Sequence, residues 1–85
     1  MIAQYYFDWK GPRDTVKEYG EKLEKACEKI GAKFLGIWGP GQDKYHFVAM
    51  IEAETMDDSF KPFQEVGRPE KMTHVIFKYF GKVYP

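Results

Sequence analysis

One cysteine, Cys27, is the only thiol in the chain. A lone thiol closes no internal disulfide, and without a cysteine cluster there is no zinc site of the structural kind. A reduced, cytoplasmic setting is therefore expected. Long apolar runs are missing as well, since none nears the ~20 residues that span a bilayer. Met1-Ile2-Ala3-Gln4-Tyr5-Tyr6 places no basic segment ahead of an apolar one, so no secretory leader is expected. Neither charge predominates: 13 basic residues stand against 13 acidic ones. That balance speaks against nucleic acid, whose phosphates require a basic face, and against an anionic membrane surface. Repeats, linkers and low-complexity segments are absent too.

What is there fits a single domain over residues 1–85. A chain this short buries only about 60–65% of its unfolded surface, so its stability margin is thin without a partner. Aromatic residues make up 18% of it and fall mostly in segments that read as strands.

Residues 2–9 form the first such segment, with aromatics on both faces. Gly11-Pro12 ends it, and Pro12 fits the first position of a helix, where its missing N–H costs nothing. Asp14 then sits where a negative charge suits the helix dipole. Val16, Tyr19, Leu23, Ala26, Cys27 and Ile30 recur at helical spacing and predict one apolar stripe. The opposite face pairs Glu18 with Lys22 and Glu21 with Lys25 in the favourable order. Gly31 supplies the left-handed stop, and Gly20, beside the stripe, allows close approach to a sheet. Lys33–Trp38 reads as a second strand, residues 39–43 as a turn-rich loop, and Tyr45–Glu54 as a third strand. Thr55 to Ser59 offers several caps, and a short helix follows to Val66. Pro62 requires it to begin near Asp58 or Ser59, which keeps the proline in the first turn. Phe60, Phe63 and Val66 are its buried side. Gly67-Arg68-Pro69 ends it, and Lys71–Phe80 is the last strand.

The order β-α-β-β-α-β predicts an α+β, ferredoxin-like fold: a four-stranded antiparallel sheet with two helices on one face. Splitting the strands by parity gives a nearly uncharged set, Ala3, Tyr5, Phe7, Trp9, Tyr45, Phe47, Ala49, Ile51, Ala53, Thr73, Val75, Phe77 and Tyr79, expected under the helices. The other set, Gln4, Tyr6, Asp8, His46, Val48, Met50, Glu52, His74, Ile76, Lys78 and Phe80, is expected on the open face. In the second strand either Leu35 and Ile37 or Phe34 and Trp38 face the helices. An open face this apolar exceeds what a monomer normally exposes. Two such sheets packed face to face, with edge strands paired, close an eight-stranded barrel and remove the edges.

Gly31-Ala32-Lys33-Phe34-Leu35-Gly36-Ile37-Trp38, Phe47-Val48-Ala49-Met50-Ile51-Glu52-Ala53-Glu54 and the Asp57-Asp58 helix start resemble the dimeric α+β barrel superfamily, in particular its short stand-alone members of uncharacterised function. The resemblance runs over almost the whole chain, by pattern rather than by a specific motif. It implies a homodimer, or a higher assembly of the same chain, with a pocket between sheet and helices or inside the barrel. Relatives include cofactor-free monooxygenases and haem-degrading enzymes.

The candidate chemistry lies on the open face. With the first strand between the third and fourth, antiparallel to both, His46 and His74 are drawn towards Asp8. Two imidazoles and a carboxylate hold a divalent metal or act as an acid–base group near pH 7; the plainer reading is a polar rim of a dimer interface. Neither a metal nor a cofactor is expected. Glu52 and Lys78 are charges in apolar strands, read as a salt bridge or as charged groups in a pocket. Trp38 and Trp9 end strands beside loops, placed to stack on a flat ligand or to fill a core. Tyr6, Trp38, Met50, Glu52 and Ile76 are the candidate ligand-binding residues. Gly39-Pro40-Gly41 is no phosphate loop, and Cys27 is a small buried apolar residue. The expected function is a small homodimer binding an apolar or aromatic small molecule. The alternatives are a cofactor-independent oxygenase- or isomerase-like enzyme with a histidine base, and a purely structural oligomeric module with a filled barrel.

Overall fold

Alternating aromatic and small residues shape β1, Ile2–Trp9, whose side chains at 3, 5 and 7 are buried. The computed structural model describes residues 1–41 and 45–84; of the expected loop, Gln42 and Asp43 lie outside the described residues. After β1 come a 3₁₀ turn (Arg13–Thr15), α1 (Val16–Ile30), β2 (Lys33–Trp38), β3 (Phe47–Glu52), α2 (Met56–Val66) and β4 (Met72–Phe80). The sheet order is β2-β3-β1-β4, every pair antiparallel. This is the ferredoxin-like α+β arrangement that the segment order implies. No helix among the described residues is long and apolar enough to cross a membrane.

Pro12 stands outside the helix, its ψ of 141° extended, and the 3₁₀ turn intervenes before α1. The expected stripe holds for Val16, Tyr19, Leu23, Ala26 and Cys27, whereas Ile30 is exposed at the helix end. Gly31 takes φ 72°, and the N–H of Ala32 returns to the Cys27 carbonyl at 3.0 Å. The surface pairs expected within α1 are not closed among the described residues; Lys29 instead reaches Glu65 of α2 at 3.4 Å.

α2 starts earlier than proline placement implies. Thr55 caps it, its Oγ1 accepting from the Asp58 N–H at 3.1 Å. Pro62 therefore lies inside the helix. An interior proline costs about 3 kcal/mol; here full burial of its ring against the core offsets part of that.

Two bulges, one in each outer strand, change the parity reading. Between Tyr6↔Ile76 and Asp8↔Thr73 one residue of β1 faces both His74 and Val75 of β4, and His74 adopts φ 54°. Beyond the bulge Met72, not Thr73, enters the core, and Thr73 lies opposite Asp8. Between Phe34↔Ile51 and Gly36↔Met50 the extra residue is Leu35. Phe34 and Ile37 therefore both pack towards the helices, a combination that simple alternation does not allow. Tyr45 precedes β3, and its ring lies 6.2 Å from that of Tyr6 rather than in the core.

The core is an aromatic stack between sheet and helices. Tyr5 stacks on Phe63 at 4.6 Å, Phe7 on Phe47 at 5.6 Å, and Phe77 meets Tyr5 edge-on at 4.7 Å. Gly20 does less than expected: a Cβ there meets Ile37 Cδ1 at 3.4 Å, an ordinary contact.

Candidate functional site

The side of the sheet away from the helices is ordered in rows by the ladder. One row runs Trp38–Val48–Tyr6–Ile76, the next Gly36–Met50–Gln4–Lys78, and a third Lys33–Glu52–Ile2–Phe80. The first row is apolar and aromatic. Trp38 is 50% exposed and its ring lies over Gly36, within 3.4 Å of where a Cβ would be. Ile76 and Phe80 are also exposed. Tyr6 donates from its hydroxyl to Gln4 Oε1 at 2.6 Å, and Gln4 Nε2 approaches Met50 Sδ at 3.7 Å. Lys78 Nζ sits 5.5 Å above the Tyr6 ring. Among the described residues neither Lys78 nor Glu52 forms an ion pair, so the salt bridge expected of them is not made within the chain. Tyr6, Trp38, Met50, Glu52 and Ile76 thus share one face, and Tyr6, Trp38 and Ile76 share one row.

At the end of that face β1 delivers Asp8, a residue only 8% exposed. Its Oδ1 accepts the backbone N–H of His46 at 2.9 Å, fastening the approach to β3 just beyond Phe7↔Phe47. His46 Nδ1 stands 3.5 Å from the same oxygen, and His74 Nδ1 stands 3.0 Å from Oδ2. The three residues that the topology points at one another do come together. On the His74 side the β4 bulge lies beside Asp8: Thr73 takes the ladder position opposite Asp8, and His74 reaches the carboxylate from a left-handed conformation, φ 54°. A buried carboxylate needs compensation; among the described residues Asp8 takes it from these imidazoles and one amide, with no lysine or arginine in contact. Each ring nitrogen approaches a different oxygen of the carboxylate, and among the described residues no group of three or more His, Cys, Asp or Glu is set to hold a metal ion.

The opposite, helix-bearing side carries a feature that strand parity does not reveal. A cleft of about 650 Å³ opens between α1 and β2. Its floor is Val16, Gly20, Phe34, Ile37 and Phe47. Charged side chains of the 3₁₀ turn and α1, Arg13, Lys17, Glu21 and Glu24 among them, ring it. Arg13 closes one end, donating to the Gly39 carbonyl at 3.2 Å. The Leu35 bulge turns both Phe34 and Ile37 towards this side, and the missing side chain of Gly20 leaves the room. Gly20 beside the α1 stripe is the only sign of this cleft in the sequence. Its volume falls within the range of small-molecule pockets, and its lining is divided between apolar and charged residues.

No protein-family model matches the chain, and no curated protein matches it at a significant level.

Proposed function

We propose that the chain is a small homodimeric binding protein of the dimeric α+β barrel type, and that it takes an apolar or aromatic small molecule in the cleft between α1 and β2. The cleft carries the reading: about 650 Å³ with an aromatic and aliphatic floor and a rim of both charges is a fit for a flat apolar body with a polar edge. The dimer is supported by the open face, where Trp38, Ile76 and Phe80 lie exposed in ordered rows. A second copy covers that surface and adds the apolar burial that a chain of this size is short of. A reducing cytoplasm suits a protein whose one thiol is buried.

Indole titrated into ¹⁵N-labelled protein tests the cleft. Amide shifts are expected at Gly20, Phe34, Ile37 and Phe47, and lost in Gly20→Leu, which fills the space; shifts confined to other residues overturn the reading. Sedimentation at micromolar concentration tests the dimer, and a lone 10.0 kDa species refutes it.

A further inference from the structure

Outside the cleft, reactive side chains are concentrated at Asp8, with one imidazole on each carboxylate oxygen. An imidazole that turns Nδ1 to a carboxylate directs Nε2 away from it. Both rings are about half exposed, His74 at 55% and His46 at 48% of the side chain, so both Nε2 atoms are reachable. His74 holds this position at φ 54° in a bulge, a conformation non-glycine residues rarely take. One ladder step away, roughly 7 Å along the strands, lies the row Trp38–Val48–Tyr6–Ile76.

We propose that His74 and His46 form an acid–base pair that interconverts keto and enol forms of a small carbonyl compound bearing an apolar or aromatic substituent. His74 Nε2 takes the proton from the carbon beside the carbonyl. The C–H electron pair becomes the C=C bond, and the carbonyl π pair moves to oxygen. That oxygen takes a proton from Nε2 of the His46 imidazolium. A C–H and an N–H bond break; an N–H and an O–H bond form. The cation passes from His46 to His74, and Asp8 faces it in both states, so the charge of the group is constant. The rings then exchange protons with water, and no oxidant or reductant takes part. The aromatic row holds the substituent. The site lies on the other face of the sheet from the cleft and does not depend on it; it does require that the proposed dimer leave the row Trp38–Val48–Tyr6–Ile76 and both Nε2 atoms open between the two sheets.

The test is the enol-to-keto conversion of phenylpyruvate, followed by loss of enol absorbance. The wild-type protein is expected to accelerate it. His74→Asn, a residue at ease at positive φ, is expected to lower kcat/KM about 100-fold or more, with His46→Asn also impaired. His74→Gly, equally at ease there, regains activity with added imidazole, a rescue that a purely structural histidine does not show. Circular dichroism and thermal melting confirm that the variants fold. The proposal is overturned if the wild type is no faster than the His46→Asn/His74→Asn double variant. It also fails if imidazole speeds His74→Gly no more than it speeds that double variant.

Discussion

The Tyr19 hydroxyl is buried, yet among the described residues it has no hydrogen-bond partner. The ring is well placed, 5.7 Å from Phe7 edge-on and 6.1 Å from Trp9, so packing and not the hydroxyl holds it. An unsatisfied buried polar group costs about 1–3 kcal/mol. Tyr19→Phe keeps the ring contacts and removes that cost, so the variant is expected to be more stable by about 1 kcal/mol at the low end of that range. In a domain of this size 1 kcal/mol moves Tm by about 4–8 °C. Urea unfolding and thermal melting both read this. Burial also pushes the Tyr19 phenol up, well above its usual value near 10, with the neighbouring Tyr5 acting the same way and Arg68 opposing. A group held high in the folded state contributes stability that is complete below the unfolded value and is lost above it. The wild type is therefore expected to lose stability above about pH 10, and Tyr19→Phe to flatten that part of the loss. The reasoning is refuted if Tyr19→Phe is destabilised by more than about 0.5 kcal/mol. That result means the hydroxyl is satisfied, for instance by an ordered water in the hollow of about 250 Å³ that Tyr19 shares with Trp9, Lys22 and Lys71.

Three further outcomes are expected. Gly20→Ala gains up to about 1 kcal/mol of helix stability, because the added methyl meets only an ordinary contact at 3.4 Å; a loss in urea unfolding shows the space to be tighter. Gly39→Ala is expected to cost about 2 kcal/mol or more, since its Cβ falls 2.5 Å from the His46 carbonyl at φ 148°; an unchanged midpoint contradicts this. Cys27, whose thiol burial first and Glu24 second push up to about 11 from its usual 9, is expected to resist Ellman's reagent at pH 8 until the protein unfolds. Its contribution to stability is likewise complete below about pH 9 and fades as pH rises through about 11; rapid labelling of the native protein refutes the placement.

The topology was legible in the sequence because it rests on punctuation: Gly31 and Gly67 end helices, and the strands between them carry unmistakable β-formers. That order drew His46 and His74 towards Asp8, since antiparallel neighbours bring strand starts to strand ends, but whether they meet depended on register, which only the ladder supplies. Parity, by contrast, is a running count, and one inserted residue upsets it. Leu35 and the His74–Val75 pair are such insertions, so the exchange of Thr73 for Met72 and the joint inward turn of Phe34 and Ile37 were not legible. The resemblance implied a pocket between sheet and helices or inside the barrel, but the lining of the α1–β2 cleft was not legible for the same reason. The start of α2 was misjudged by giving Pro62 priority over Thr55, whose capping bond sets the helix origin. The rest of the candidate site, with Trp38, Tyr6 and Ile76 in one row, needed the register of all four strands together.

Both irregular insertions fall on the two rims of the sheet, β2 and β4, while the interior pair β1 and β3 runs without a break. A rim that kinks is a poor template for lateral growth by another molecule's backbone. Open-ended ribbon growth is discouraged on both sides, while the short rim-to-rim pairing that closes a barrel between two copies is compatible with bulges, which are common at barrel rims.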